Sequence, residues 1–167
     1  ALPICYLGGQ RIFYYRERID EPSIPFEEVI LYQDDELIVV DKPHFVPVTP
    51  GGQYLHQSLL VRLRRKTGIR TITPIHRLDR DTAGVMLFSV NPATRSCWQS
   101  LFRFKQVHKV YEALAPVQPA LTFPRHVVSR IVGDEQFFRV KEVPGEPNAF
   151  TLVELTTHND AVGHYKD

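Results

Sequence analysis

The sequence predicts an α+β domain with a mixed, largely antiparallel sheet and a few flanking helices. Short apolar runs bounded by turn residues recur along the chain, which indicates strands. Only two segments have clear helical spacing, and strands and helices do not alternate regularly. Regular alternation would instead have indicated a doubly wound parallel sheet. The length of 167 residues suits one such domain with a small extension. The extension is predicted to hold a short strand-like run at Ile12–Tyr15, followed by a linker that includes Asp20–Ser23 and Pro25.

The first half is predicted to hold a hairpin, a helix and a buried strand. Val29–Tyr32 and Leu37–Val40 are β-rich runs around a polar turn. Gln57–Lys66 places its leucines on one face, which predicts an amphipathic helix. Thr73–Ile75 is a short strand that leads into a polar loop, and the apolar run Gly84–Val90 predicts a buried strand.

A second helix is expected after Asn91, with Asn91 as its N-cap and Pro92 at the first helical position. Three large apolar side chains of this helix are predicted to face the core and not a nucleobase: Trp98, Leu101 and Phe102. Antiparallel strands separated by Gly- and Pro-containing turns are expected in the second half. These strands are His108–Ala115, Arg125–Ile131, Phe137–Lys141 and Phe150–Leu155.

Charge is distributed unevenly in a chain whose net charge is only +1. Between Lys42 and Glu112 there are twelve Arg and Lys residues against three Asp and Glu, whereas Ala1–Asp41 has three against nine. A basic middle segment is typical of a face that binds a polyanion, although an Arg-rich solvated surface would have the same composition.

Several classes of protein are excluded. The two cysteines, Cys5 and Cys97, form no CxxC pair, so neither a zinc ribbon nor a disulfide framework is indicated. No apolar run approaches the roughly 20 residues that span a bilayer, and no P-loop or GxGxxG motif is present. We therefore expect a cytoplasmic protein with no membrane partner, no metal and no organic cofactor, and a monomer by default.

The segment from His76 to Gly84 is a polar loop between two apolar strands, and it is the most informative stretch of the chain. Its central carboxylate, Asp79, has arginines close by in sequence and rigid neighbours on both sides. A carboxylate in such a basic loop suits a nucleophile or a general base. The residues alone leave a turn or capping role open for Asp79.

The string HRLDRDTAG resembles the HRLD-x-x-T-S-G signature of the RluA-type RNA pseudouridine synthases. LIVVDKP at Leu37–Pro43 resembles the family's strand ending in Lys-Pro, and KVYEA at Lys109–Ala113 resembles the strand with its K-x-Y motif. The resemblance implies the family's fold and an enzyme that converts specific uridines of rRNA or tRNA to pseudouridine. It further implies a catalytic domain over 26–167 that lacks its C-terminal part, after an extension at 1–25 that faintly resembles an S4-like RNA-binding region.

The resemblance also implies roles for single residues. Asp79 matches the catalytic nucleophile and Tyr111 the active-site tyrosine, which shields the pocket and assists proton removal at C5 of the base. Arg77 matches a residue that contacts RNA near the flipped nucleotide, and a guanidinium both stacks on bases and binds phosphate. The other candidates for RNA contact are Arg80 and a basic group of the first helix: Arg62, Arg64, Arg65, Lys66 and Arg70. Structural roles are expected for Lys109 and for His76, which would order the loop by hydrogen bonding. The Thr82 hydroxyl would satisfy loop backbone, and Gly84 would permit a close approach or a positive φ.

The chain departs from the family pattern in three places. Ala83 stands where the family has Ser, and the segment after Pro43 reads His44–Pro50 in place of the family's small residue, Gly and His-Pro pair. A later T-G-R-x-H-Q-x-R motif, whose arginine pairs with the catalytic Asp, has no counterpart. Two alternatives therefore stay open: a catalytically silent RNA-binding module, and a glycoside or nucleoside hydrolase with Asp81 as its proton donor.

Overall fold

The computed structural model describes residues 20–116, 118–135 and 139–156. The chain divides into two units, with the boundary between Val110 and Tyr111. The strand-like run at Ile12–Tyr15 and most of the extension predicted at 1–25 lie outside the described residues. Within the described part of the chain, no helix is long and apolar enough to span a membrane.

A four-stranded sheet and two helices make up the first unit. In chain order these elements are β1 (Val29–Gln33), β2 (Leu37–Lys42), α1 (Leu59–Thr67), β3 (Thr73–Pro74), β4 (Gly84–Ser89) and α2 (Arg95–Arg103). The sheet has the order β1-β2-β4-β3, and each neighbouring pair is antiparallel. The predicted hairpin is confirmed: the Asp34 carboxylate closes its turn by accepting hydrogen bonds from the backbone N–H groups of Glu36 and Leu37.

The hydrophobic core of this unit lies between one face of the sheet and α1. Alternate residues of the central strands point into it, because successive side chains of a strand lie on opposite faces. The core side chains include Ile38 and Val40 of β2, Met86 and Phe88 of β4, and Leu59, Leu60 and Leu63 of α1. The predicted helix and the predicted buried strand are therefore both confirmed, and they supply most of the core.

Backbone hydrogen bonds determine where α1 begins and ends. The N–H groups of Leu59 and Leu60 donate to the carbonyl oxygens of Pro47 (2.8 Å) and Val48 (3.0 Å), which satisfies donors that a helix start leaves unpaired. The helix ends at Thr67 and is capped by Gly68, whose φ of +75° is the left-handed conformation favoured by glycine. Three basic residues in the last turn complement the helix dipole: Arg64, Arg65 and Lys66.

The predicted start of the second helix is wrong by three residues, since the N-cap is Thr94 and not Asn91. Asn91 caps no helix; its Oδ1 accepts a hydrogen bond from the Ala93 N–H at 2.9 Å and its Nδ2 donates to Glu36 at 2.7 Å. These bonds hold Pro92–Thr94 in a turn, and α2 begins at Arg95. None of its residues is fully buried, so Trp98, Leu101 and Phe102 are half-buried side chains and not core residues.

Two antiparallel strand pairs form the second unit. Its strands are β5 (Arg125–Ser129), β6 (Ile131–Gly133), β7 (Val140–Glu142) and β8 (Ala149–Val153). β5 pairs with β8 and β6 pairs with β7. The single strand predicted at Arg125–Ile131 is two strands, because the chain changes its pairing partner at Arg130, whose carbonyl accepts from Val143. The α+β class with a largely antiparallel sheet is confirmed.

The strand predicted at His108–Ala115 is not formed. These residues are extended chain without a ladder, and large apolar side chains such as Val110 and Leu114 are mostly exposed. The alternation there is that of a half-buried strand, but a strand needs a neighbour whose backbone groups it can pair with. Among the described residues none supplies such a neighbour to this segment.

Candidate active site

Asp79 lies in the loop that joins β3 to β4. The loop turns tightly there, since the backbone N–H of Thr82 donates to the Asp79 carbonyl oxygen at 3.2 Å. The Asp79 side chain is exposed, and no described residue forms a hydrogen bond or ion pair with its carboxylate. Its two carboxylate oxygens are thus open to a molecule that approaches from solvent.

A buried lysine fixes this loop to the sheet. Lys42, the last residue of β2, has no exposed surface, and its Nζ donates to three carbonyl oxygens: Pro43 (3.1 Å), Val46 (2.9 Å) and Arg80 (3.0 Å). Burial lowers the pKa of Lys42, while the nearby carboxylates of Asp81 and Asp79 act in the opposite direction. One ammonium group therefore joins the turn after β2 to the loop that bears Asp79.

A second link joins the same two segments. The Nδ1 of His44 donates to the Asp81 carbonyl oxygen at 2.7 Å, and the Arg80 guanidinium pairs with the Asp81 carboxylate at 2.7 Å. The hydrogen bond from Arg80 lowers the pKa of Asp81, as do the charges of Arg80, Lys42 and His44. A proton donor in a glycosidase needs a raised pKa, so this environment disfavours the hydrolase alternative based on Asp81.

His76 anchors the start of the loop. Its Nε2 accepts a hydrogen bond from the Leu87 N–H at 3.2 Å, and its ring stacks on Phe102 of α2 with centroids 4.5 Å apart. Burial lowers the pKa of His76, and the charge of Lys109 adds to this, whereas a hydrogen bond with the Arg77 backbone opposes it. The neutral imidazole is the form that accepts from Leu87, so burial favours the state in which the loop is held.

Gly84 and Thr82 shape the end of the loop through their backbones. The φ of Gly84 is +124°, a conformation that residues with a Cβ rarely adopt. In the β2–β4 ladder Gly84 lies opposite Lys42. The three hydrogen bonds of Lys42, called the Lys42 clamp below, and the positive φ of Gly84 therefore occur at one register position. The Thr82 hydroxyl was expected to satisfy loop backbone, but among described residues it has no hydrogen-bond partner; the backbone N–H of Thr82 already closes the turn.

Three further candidate residues, Arg77, Lys109 and Tyr111, are exposed. Arg77 and Lys109 belong to the first unit, and both side chains face solvent. Tyr111 begins the second unit, with 62% of its side-chain surface exposed.

Arg62 has a structural environment that the sequence did not reveal. Its guanidinium, mostly buried, donates to the carbonyl oxygens of Phe26 (2.6 Å) and Ile24 (2.9 Å), to Glu28 (3.4 Å) and to the side chain of Gln57. These acceptors occupy a group that was expected to bind RNA. The segment before β1 is thereby held against α1.

The other basic side chains of this region are more open. Arg65 faces solvent, with its Nη2 2.8 Å from Nδ1 of His56, and Arg70 is exposed beyond the end of α1. Lys66 is half exposed and 3.9 Å from Glu28. Arg64 donates to the Ile72 carbonyl at 2.8 Å. Arg65, Lys66 and Arg70 therefore present the accessible positive charge at the end of this helix.

Residues 36–165 match the family model described as RNA pseudouridylate synthase. This match covers most of the chain, and it includes the loop of Asp79, the clamp of Lys42 and the position of Tyr111. The chain belongs to the RNA pseudouridylate synthase family.

Curated members of the family match only in part. An uncharacterized RNA pseudouridine synthase of Synechocystis sp. is 30% identical over 107 residues, which are 64% of this chain and 37% of that protein. Pseudouridylate synthase RPUSD2 of Homo sapiens is 33% identical over 54% of this chain and 17% of its own length. Ribosomal large subunit pseudouridine synthase C of Vibrio cholerae is 37% identical over 53% and 28%. The chain thus spans well under half of these relatives.

A solved structure, Human RNA Pseudouridylate Synthase Domain Containing 4, aligns with 77% of this chain and 48% of that one. The TM-score is 0.46 and the sequence identity is 24%.

Glu21 and Glu36 anchor backbone segments of the chain, and neither role was predicted from the sequence. Glu21 was assigned to a linker, yet its carboxylate accepts hydrogen bonds from the N–H groups of Leu55 (2.9 Å), His56 (2.8 Å) and Gln57 (2.6 Å). Partial burial raises the pKa of Glu21, but these bonds outweigh it and lower the pKa. Glu36 binds Asn91 and Thr94 before α2. Neither residue belongs to a short motif, so only their partners, 34 to 58 residues away, reveal them.

No group of three or more His, Cys, Asp or Glu side chains suited to hold a metal ion occurs in the described ranges.

Proposed function

We propose that this chain is the catalytic part of an enzyme that isomerises uridine in RNA to pseudouridine, with Asp79 as its nucleophile. One observation supports this above all: in a member of the RNA pseudouridylate synthase family, the carboxylate of the HRLD segment is exposed and unpaired among described residues, on a loop fixed by a buried lysine. Fixed geometry matters because a nucleophile is effective only when held in line with the atom that it attacks.

The reaction is an isomerisation and needs no oxidant, reductant or second substrate. The bond between C1′ of the ribose and N1 of uracil breaks, the base turns while it stays bound, and a bond forms between C1′ and C5. The proton on C5 leaves, and N1 gains one. Asp79 would add to an electron-poor carbon, either C1′ of the sugar or a carbon of the base, and would leave again in the last step, as carboxylates do in retaining glycosidases.

Other residues would share the work around Asp79. Tyr111 would shield the pocket and help to remove the C5 proton. Arg77 would contact RNA beside the flipped nucleotide, and Arg80 would add positive charge although it also pairs with Asp81. Lys109 would position the segment that carries Tyr111. A uridine in a duplex must be extruded before it reacts, at a cost of a few kcal/mol.

RNA affinity would come from the exposed cations at the end of α1. Arg65, Lys66 and Arg70 are accessible, and contacts to phosphate supply most sequence-independent affinity. Arg62 would support this surface indirectly, because its donors are occupied. The substrate would be rRNA or tRNA, and the protein would act in the cytoplasm as a monomer without metal or organic cofactor. Residues 26–167 would form the catalytic domain and 1–25 an extension.

A second function follows from the same carboxylate. Asp79 has no arginine partner among the described residues. If no cation orients Asp79, the chain would bind RNA without modifying it. This alternative is a catalytically silent RNA-binding module.

Mapping of pseudouridine separates the two functions. The complete protein would be incubated with RNA from cells that lack the activity, and the products would be compared with those of Asp79→Asn. We expect new pseudouridine at a defined site, lost in Asp79→Asn and retained in the matched control Asp35→Asn, which alters an exposed carboxylate in the β1–β2 turn. RNA binding without modification by the wild-type protein would support the silent module and overturn the enzyme.

A further inference from the structure

Phe45 has a backbone conformation that aromatic residues rarely adopt. Its φ is +66°, in the left-handed region where a Cβ is disfavoured and glycine is not. The ring makes little use of this position for folding: about half of its surface is exposed, and Phe45 is not part of the hydrophobic core. Residues held in such unfavourable backbone conformations cluster at functional sites.

The turn that carries Phe45 is joined to the loop of Asp79. Nζ of Lys42 donates both to Val46, the residue after Phe45, and to Arg80, the residue after Asp79. His44, the residue before Phe45, donates to the Asp81 backbone. Phe45 and Asp79 therefore belong to two segments joined by two hydrogen bonds, Lys42 to Arg80 and His44 to Asp81, whose partners adjoin Phe45 or Asp79 in sequence.

The neighbourhood of the ring fits an RNA base. Phe26, itself 45% exposed, lies 5.9 Å away between ring centroids with the planes tilted by 40°, so the two rings do not cover each other's faces. His44 and Arg80 add polar and cationic groups on the same linked segments. Bases splayed out of a strand are held by stacking on aromatic side chains, next to cations that meet the phosphates.

Resting on the proposed function, we infer that Phe45 stacks on a nucleobase adjacent to the uridine that reacts at Asp79. The ring thereby selects RNA in which that neighbouring base is free to unstack. Phe45 contacts substrate but takes no part in bond breaking.

Fluorescence of 2-aminopurine tests the stacking directly. The probe is a single-stranded oligouridine with one central 2-aminopurine, titrated with the complete protein carrying Asp79→Asn so that no turnover occurs. We expect quenching on binding, and for Phe45→Leu a loss of quenching with a roughly tenfold higher Kd. Phe45→Trp keeps both. The matched control is Phe104→Leu, which removes an exposed ring elsewhere on the first unit and leaves Kd and quenching unchanged.

A second variant distinguishes the loss of stacking from misfolding of the turn. Asn tolerates positive φ better than Leu, so Phe45→Asn keeps the turn and is expected to lose quenching to the same extent. Wild-type quenching and Kd in both Phe45→Leu and Phe45→Asn would overturn the inference.

Kinetics distinguish this inference from the proposed function. With the active protein and its mapped RNA, Phe45→Leu is expected to raise KM and leave kcat nearly unchanged, since stacking persists from bound substrate to transition state. If Phe45→Leu forms pseudouridine with the wild-type KM and quenches 2-aminopurine as the wild-type protein does, the inferred role of Phe45 is wrong and the proposed function is unaffected. If the wild-type protein forms no pseudouridine but Phe45→Leu loses quenching, the proposed enzymatic function is contradicted and the stacking contact is supported.

Discussion

The ammonium group of Lys42 donates a 3.0 Å hydrogen bond to the carbonyl oxygen of Arg80, 38 residues further along the chain. This bond connects the end of β2 to the residue after the candidate nucleophile. Because Lys42 is fully buried, its ammonium group has no water to replace these three carbonyl acceptors. The position of Asp79 thus depends on a side chain that does not itself face the substrate.

Replacement of Lys42 by Met removes this clamp and keeps the length of the side chain. Three carbonyl groups lose their donor, and we expect the free energy of unfolding to fall by roughly 2–4 kcal/mol. We also expect kcat/KM for pseudouridine formation to fall about 100-fold, as when reacting groups are misplaced. Chemical denaturation and kinetics measure the two effects. Lys141→Met, which breaks only a surface ion pair, should change neither; an unaltered Lys42→Met protein would contradict the role of the clamp.

Gly84→Ala tests the backbone of the residue that lies opposite Lys42 in the β2–β4 ladder. A Cβ at Gly84 meets nothing within 4 Å, so the cost comes from its φ of +124° and not from a clash. We expect a loss of about 1–3 kcal/mol in the free energy of unfolding. Gly133→Ala is the matched control, because its φ is not positive and the space around it is also open. Equal stabilities for the two variants, measured by urea denaturation, would show that Gly84 relaxes without strain.

The histidine at position 76 predicts a pH-dependent stability. Its pKa is lowered on folding from the usual 6.5, so the folded state favours the neutral ring. This contribution is complete above about pH 6.5 and is lost as the pH falls through the lower pKa of the folded state. His76→Gln keeps an acceptor for the Leu87 N–H but does not titrate. We expect the wild-type protein to lose more stability than His76→Gln between pH 7.5 and pH 5, measured by denaturation midpoints; parallel curves would exclude His76 as the cause.

Arg62 and Arg65 differ in role although they lie three residues apart on α1. Arg65→Gln is expected to weaken RNA binding and to reduce the slope of log K against log salt by roughly 0.7 to 0.9, the value of one phosphate contact. Arg62→Gln should leave that slope unchanged and lower the free energy of unfolding by about 2–4 kcal/mol, since Glu28 and two carbonyl groups lose their partner. Salt titrations and melting curves of both variants test this, and the reverse pattern would place Arg62 on the RNA surface.

Much of the first unit could be predicted from the sequence because the type of each element is determined by the residue pattern within that element. The leucines of α1 and the apolar run of β4 each determine the type of their element by periodicity, and both are confirmed. Gly84 was expected at positive φ, or at a close approach, and the first of these holds. The family, too, could be inferred from three short motifs in the right order.

The failures concern features that depend on distant partners. The segment 108–115 alternates like a strand but is not paired, and α2 starts late because Glu36 and Asn91 fix the turn before it. Arg62 was grouped with its basic neighbours because a sequence shows charge and not contacts. In the structure its guanidinium is bound by two backbone carbonyl oxygens and the Glu28 carboxylate. The positive φ of Phe45 has no signal in the residue itself, and only the resemblance indicates it, because the family pattern has Gly as the second residue after Lys-Pro.

The acceptors of Lys42 have a consequence for how this enzyme family diverges. All three are backbone carbonyl oxygens, so the clamp does not depend on which side chains stand at positions 43, 46 and 80. A change of side chain at Pro43 or Arg80 would therefore leave these acceptors, and with them the loop of Asp79, in place. Under the proposed function, selection on RNA contacts and selection on the position of Asp79 would then act on separate residues, so that a duplicated gene could acquire a new target while its reaction stays intact.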